Sequence, residues 1–149
     1  MKYFNYKLIL IGLLAFSFTA CEDDSSDDSQ NPSNSPSSSS ETIQSANWEI
    51  THYEDDNENE TYHFDGYSFD FADNGEASAT NGTNTVSGTW SFTNDSDGNL
   101  ELNLDFGQQE PWDDLEDDWD VLSVSDSKID LKDVSGGDGS IDLLTFEVL

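Results

Sequence analysis

SFDFADNGEASATNGTNTVSGTWSFTNDSDGNLELNLDF, residues 68–106, decides the fold. Apolar and polar residues alternate along it, and Asn-Gly or Asp-Gly pairs separate the runs. Alternation with period two marks half-buried strands, and these pairs are hairpin turn residues. Asp73-Asn74-Gly75 as a three-residue loop sets Phe71 opposite Ala77 and Phe69 opposite Ala79. Gly82-Thr83 as a two-residue loop sets Ala79 opposite Val86, and a loop over Asn94 to Gly98 sets Phe92 opposite Leu100, Trp90 opposite Leu102 and Val86 opposite Phe106. Each turn fixes a register in which the apolar sets meet, whereas a slip of one residue would send them to opposite faces.

The same test extends outward. A tight turn at Asp126-Ser127 sets Val124 opposite Ile129 and Leu122 opposite Leu131. The loop from Ser135 to Ser140 returns Leu144 opposite Leu131 and Phe146 opposite Ile129. Upstream, DDNENE (55–60) closes a first hairpin with His52 opposite His63 and Trp48 opposite Tyr67, unless Gly66 is a bulge that turns His63 outward. Between residues 106 and 119, Pro111 opens a short helix near 111–117, with Trp112 and Leu115 on one side. The expectation is an all-β domain over 46–149. Its eight antiparallel strands run in up-and-down meander order at 46–53, 61–72, 76–81, 84–93, 99–106, 119–125, 128–134 and 141–148. Closing the meander into a barrel removes its exposed edges; an open sandwich is the alternative.

This register sends inward Trp48, Ile50, Tyr67, Phe69, Phe71, Ala77, Ala79, Val86, Gly88, Trp90, Phe92, Leu100, Leu102, Leu104, Phe106, Leu122, Val124, Ile129, Leu131, Leu144, Phe146 and Val148. An eight-stranded barrel is filled by side chains or holds one small ligand. Large Trp and Phe favour filling; small Ala77, Ala79 and Gly88 favour space. A pocket for an apolar ligand would be lined by Trp48, His52, His63, Tyr67, Phe69, Phe71, Ala77, Ala79, Gly88 and Trp90.

The Trp on the first strand, the meander order, Gly88-Thr89-Trp90 and the closing Leu144-Thr145-Phe146 together resemble the lipocalin-like domains of small Bacteroidota-type surface lipoproteins. The resemblance covers residues 46–149 and implies the barrel fold. Ala46-Asn47-Trp48 stands where a lipocalin has Gly-x-Trp, and the chain has no arginine to pack on that Trp.

Ahead of this domain the sequence reads as an address. Lys2 and Lys7 precede the apolar run LILIGLLAFSF (8–18), which is too short to span a bilayer and suits a secretory signal over 1–20. Phe18-Thr19-Ala20-Cys21 resembles a bacterial lipobox, which implies cleavage before Cys21 and its lipidation. Cys21 is the one cysteine, so it has no disulfide partner within the chain. Residues 21–45 are rich in Ser, Asp, Asn and Pro, and read as a disordered tether. EDDSSDD after Cys21 resembles the acidic signals that send Bacteroidota lipoproteins to the cell surface. The expected location is therefore the cell envelope, as an outer-membrane lipoprotein facing outward.

The chain has 33 acids against four lysines and a formal net charge of −29. Without arginine, and with only Lys128 and Lys132 after Cys21, it lacks the cations that release counterions from nucleic acid. A membrane partner must be reached through lipid on Cys21, because an anionic surface repels such a chain. No serine motif stands out beside His52 and His63, and catalysis is not expected. Paired carboxylates for glycoside hydrolysis remain a further class. For calcium, Asn94 to Asn99 departs from the EF-hand spacing and reads as a turn. Asp113, Asp114, Glu116, Asp117 and Asp118 are the densest acids and the candidates for a divalent cation, against the reading of a solvated loop. His52 opposite His63 would let the two imidazoles share a transition metal, against the reading of two stacked neutral rings. The reading that results is a monomeric, membrane-anchored, non-catalytic binding or interaction module. Its alternatives are a carrier of a small apolar ligand, and a calcium-binding protein or carboxylate-based hydrolase.

Overall fold

The computed structural model describes residues 35–134 and 139–149. Its strands are β1 (Trp48–Asp55), β2 (Glu58–Asn59), β3 (Ser68–Phe71), β4 (Glu76–Thr80), β5 (Thr85–Asn94), β6 (Leu100–Asp105), β7 (Asp117–Ser125), β8 (Lys128–Val134) and β9 (Ile141–Val148). Neighbours are antiparallel throughout, and β1 pairs with both β3 and β9, so the sheet closes into an eight-stranded up-and-down barrel. β2 is only the short return of the β1 hairpin. The barrel is thus the all-β meander that alternation and turns imply, with the lipocalin-like form that the resemblance implies.

Most turn-set registers hold. Phe71 lies opposite Ala77, Phe69 opposite Ala79, Ala79 opposite Val86, Val124 opposite Ile129, Ile129 opposite Phe146 and Leu131 opposite Leu144. Between β5 and β6 the register differs by two residues: Phe92 faces Leu102 and Trp90 faces Leu104. The loop is tighter than the sequence suggests. Asp95 N donates to Asn99 O, Asp95 Oδ1 accepts from the amides of Asp97 and Asn99, and Gly98 takes φ +89°. A shift of two keeps every side chain on its face, so the inward set survives.

Local irregularities produce the other differences. A bulge between Val121 and Ser123 sets Val121 opposite Leu131 and leaves Leu122 53% exposed instead of inward. Val148, also expected inside, is 37% exposed. Asp56 and Asn57, at φ 49° and 67°, close the first hairpin in two residues, with Asp55 opposite Glu58. The chain then makes a 3-10 turn at Thr61–Phe64, and β3 begins only at Ser68, after Gly66 at φ +78°. Trp48 therefore faces Phe69, not Tyr67. A second bulge between Ile50 and His52 reverses the alternation in β1, burying Tyr53 and turning His52 away. The short 3-10 turn Asp113–Leu115 follows Pro111, inside the stretch expected to be helical, and buries Trp112 and Leu115.

The tether assigned to 21–45 is corrected at its end. Pro36–Ile43 forms a helix, α1. Ser35 caps it by accepting from Ser38 N, and Pro36 opens it with a preset φ. Poor helix formers persist here because packing decides: Ile43 is wholly buried, and α1 lies against β5 and β7. Trp48 Nε1 donates to Ile43 O at 2.7 Å, satisfying a helix-end carbonyl inside the core. The helix leads into β1 and so sits at the end of the barrel where that strand begins.

Ile43→Ala should lower stability by about 2–5 kcal/mol in urea unfolding, the range for truncating a buried aliphatic residue. Gly88→Ala should cost about 1–3 kcal/mol, because its Cβ would stand 2.3 Å from Asp105 O and 3.0 Å from Phe106 Cα. Stabilities equal to the parent's would contradict this packing.

Candidate functional site

The barrel core takes in six of the ten residues expected to line an apolar pocket. Trp48, Phe69, Phe71, Ala77, Ala79 and Trp90 are buried members of one core. Phe69 meets Phe106 and Phe146 edge to face, with centroids 5.7 and 5.4 Å apart, and Trp90 meets Phe71 at 5.7 Å. Phe106 occupies the room that Gly88 leaves. The small residues thus seat neighbouring rings. Tyr67 is half-buried on Trp112, centroids 5.0 Å apart. His52 is elsewhere: its Nδ1 is 3.3 Å from Asn59 Nδ2, and its Nε2 is 3.6 Å from Glu54 Oε2. Its strand partner is Thr145, and the pairing with His63 that a shared metal would need is not formed. Cys21 lies outside the described residues.

Outside the barrel, β3–β6 carry a groove of about 500 Å³. Its polar lining is Asp70, Glu76, Ser78, Ser87, Thr89 and Asp105. Register explains the grouping: Ser78 lies between Asp70 and Ser87, and Thr89 lies between Glu76 and Asp105. Two rows of carboxylates and hydroxyls thus cross four strands. Such a surface accepts and donates hydrogen bonds and attracts cations, which suits a polyhydroxylated or positively charged partner. These residues occupy the polar positions of the alternation, and a search for pocket residues among the apolar ones passes over them.

A third constellation gathers where β1 ends. Glu60, His63 and Asp114 each present a donor atom within 4.8 Å of the others. Glu60 and His63 come together because the 3-10 turn spaces them by three residues, and His63 Nδ1 is 3.6 Å from Glu60 Oε2. Asp114 arrives on the second 3-10 turn, which Tyr53 holds by donating from its hydroxyl to Asp114 O at 3.2 Å. Burial raises the Asp114 pKa, with Asp113 and Glu60 adding to the effect and His63 opposing it. Tyr53 is likewise raised, by burial and then by Asp114.

The other acids expected to crowd round a cation are dispersed. Glu116 bonds Gln108, Asp117 sits opposite Leu104 and Asp118 opposite Asn103. Asp113 adjoins Asp114 without joining the group of three. Only Asp114 of the five sequence candidates enters it. Asp95 spends its carboxylate on the turn, where Asn99 and neighbouring amides hold its pKa down. Neither a family model nor a curated protein matches this sequence.

Asp117 is pushed up to about 6 by burial and by its hydrogen bond with the Asp118 carboxyl. Asp55, Glu101 and Asp114 are also raised, each first by burial. For these groups the folded chain holds the proton more tightly than the unfolded one, so ionisation opposes folding. For Asp117 the contribution declines as pH rises from 3.8 through about 6 and is level above that. Asp130 has the opposite sign: burial works upward, but hydrogen bonds from Lys128, Ser123 and Thr145 outweigh it. Asp117→Asn should therefore melt higher than the parent at pH 7, with the gain shrinking as pH is lowered to 5. A lower midpoint at pH 7 would refute this assignment.

Proposed function

We propose that this chain is a membrane-anchored, non-catalytic lipoprotein whose lipocalin-like barrel is a binding module working through its outer surface. The observation that carries this reading is the filled interior. Trp48, Phe69, Trp119 and Phe146 are at most 1% exposed and pack with the other core residues, and α1 brings Ile43 into the same core. Contact with a partner then falls to the outer face, where the groove over β3–β6 offers hydroxyls and carboxylates to a polar glycan or protein surface. The anchor rests on Phe18-Thr19-Ala20-Cys21 behind a basic start and an apolar run, and the acidic stretch after Cys21 supports an address on the outer face of the outer membrane.

Two measurements test the reading. Tryptophan fluorescence titrations with fatty acids, retinoids and haem should show no saturable change; saturable quenching would restore the carrier of an apolar ligand. Cys21→Ala should leave the membrane fraction and still fold. If it stays membrane-bound after mild extraction, the anchor is wrong.

A further inference from the structure

We propose that Glu60, His63 and Asp114 form a binding site for a divalent first-row transition ion of the zinc class. The site lies apart from the groove and does not depend on the outer-surface reading. Its three donors come from two segments distant in sequence, which barrel closure brings together within 4.8 Å. A tetrahedral zinc with nitrogen and oxygen ligands at about 2.0–2.2 Å keeps its donors roughly 3.3–3.6 Å apart. Glu60 Oε2 and His63 Nδ1 already stand at 3.6 Å, so the remaining closure is a matter of side-chain shifts.

A second observation points to a ligand. His63 Nδ1 is shielded from solvent and has no hydrogen-bond partner, although the ring is 29% exposed elsewhere. Asp113 Oδ1, on the residue before Asp114, is in the same condition. Buried polar atoms in native proteins almost always have partners, and an unpartnered one in a native fold calls for an explanation such as an ion. Tyr62 and Phe64 meet the imidazole edge to face at 4.2 and 6.4 Å, and so hold it in place. Among the described residues no lysine serves this group: Lys128 pairs with Asp130 and Lys132 with Asp120.

The donor set also selects the metal. Calcium takes six to eight oxygen ligands, whereas one imidazole and two carboxylates suit a borderline transition ion. Three protein ligands leave a position for water or for a donor from a partner. The cluster Asp55, Asp56 and Asp142 offers carboxylates alone.

The test uses detergent-extracted full-length protein, stripped with chelator and titrated with zinc chloride while excess calcium occupies the general acidic surface. One zinc per chain should bind with a rise in melting temperature. His63→Gln and Asp114→Asn should each weaken it by more than about tenfold, a loss that second-shell changes alone can reach. His52→Gln should bind as the parent does. Cobalt(II) in the same site should give a visible ligand-field band that His63→Gln abolishes. Zinc binding unchanged in His63→Gln, or no zinc saturation above the calcium background, would overturn the proposal. Should His63→Gln not fold, the parent protein decides: lack of a cobalt band would overturn it equally.

Discussion

Pairing of β1 with β9 turns a meander into a ring, and an eight-stranded ring has an interior that side chains just fill. Much else follows from that fixed width. Trp48 sits at the closure, facing Phe69 on one side and Val148 on the other, while its indole nitrogen bonds Ile43. Phe69 and Phe71 stand across from Ala79 and Ala77, and Phe106 fills the space beside Gly88. Exchanging small and large partners at facing positions is how a narrow barrel reaches close packing. A barrel filled in this way leaves its outside as the face open to contact, and the polar rows across β3–β6 lie there.

Charge shapes the outside as firmly as volume shapes the inside. Lys128 and Lys132 each find one acid, Asp130 and Asp120. Among the other described carboxylates, Glu54 and Glu60 each stand 3.6 Å from an imidazole and Asp95 accepts from the amides of its own turn. Where the fold partly buries a carboxyl among others, as with Asp55 near Asp142 and Asp114 near Asp113, its pKa rises, by burial first and by the neighbouring charge second. Folding of this chain therefore works against desolvation of its carboxylates and their self-repulsion.

How much was legible in the sequence depended on whether two local signals agreed. At Asp73-Asn74-Gly75 the turn and the apolar faces give one answer, and the structure has it; at Asp126-Ser127 the answer holds as far as Val124 opposite Ile129 and fails at the bulge beyond. At Asn94–Asn99 two loop lengths satisfy the same faces, and the choice rests on how the Asp95 carboxylate caps the turn. The bulges in β1 and β7 carry no residue signature; Leu122 and Tyr53 exchange sides through backbone detail that alternation does not record. Helix α1 was hidden by its serines. Ser35-Pro36 is a proper start signal, but the segment folds only because Ile43 has a core to enter. The candidate metal group was half visible: His63 and Asp114 were each singled out, yet their meeting follows from closure across distant segments and from no short motif.

The hydrogen bond from Leu149 N to Asn47 O, 3.1 Å long, lies beside the pairing of Trp48 with Val148. The two strands that complete the ring are the most widely separated in sequence. Every hairpin between them can form by local search, but the last seam requires the whole intervening chain to be arranged first. Loop-closure entropy places the cost of this fold in one event. Folding kinetics should thus be governed by ring closure. A cut at an exposed hairpin loop, with Leu149 linked to the start of α1, would bring that slowest contact close in sequence without altering the barrel's strand order.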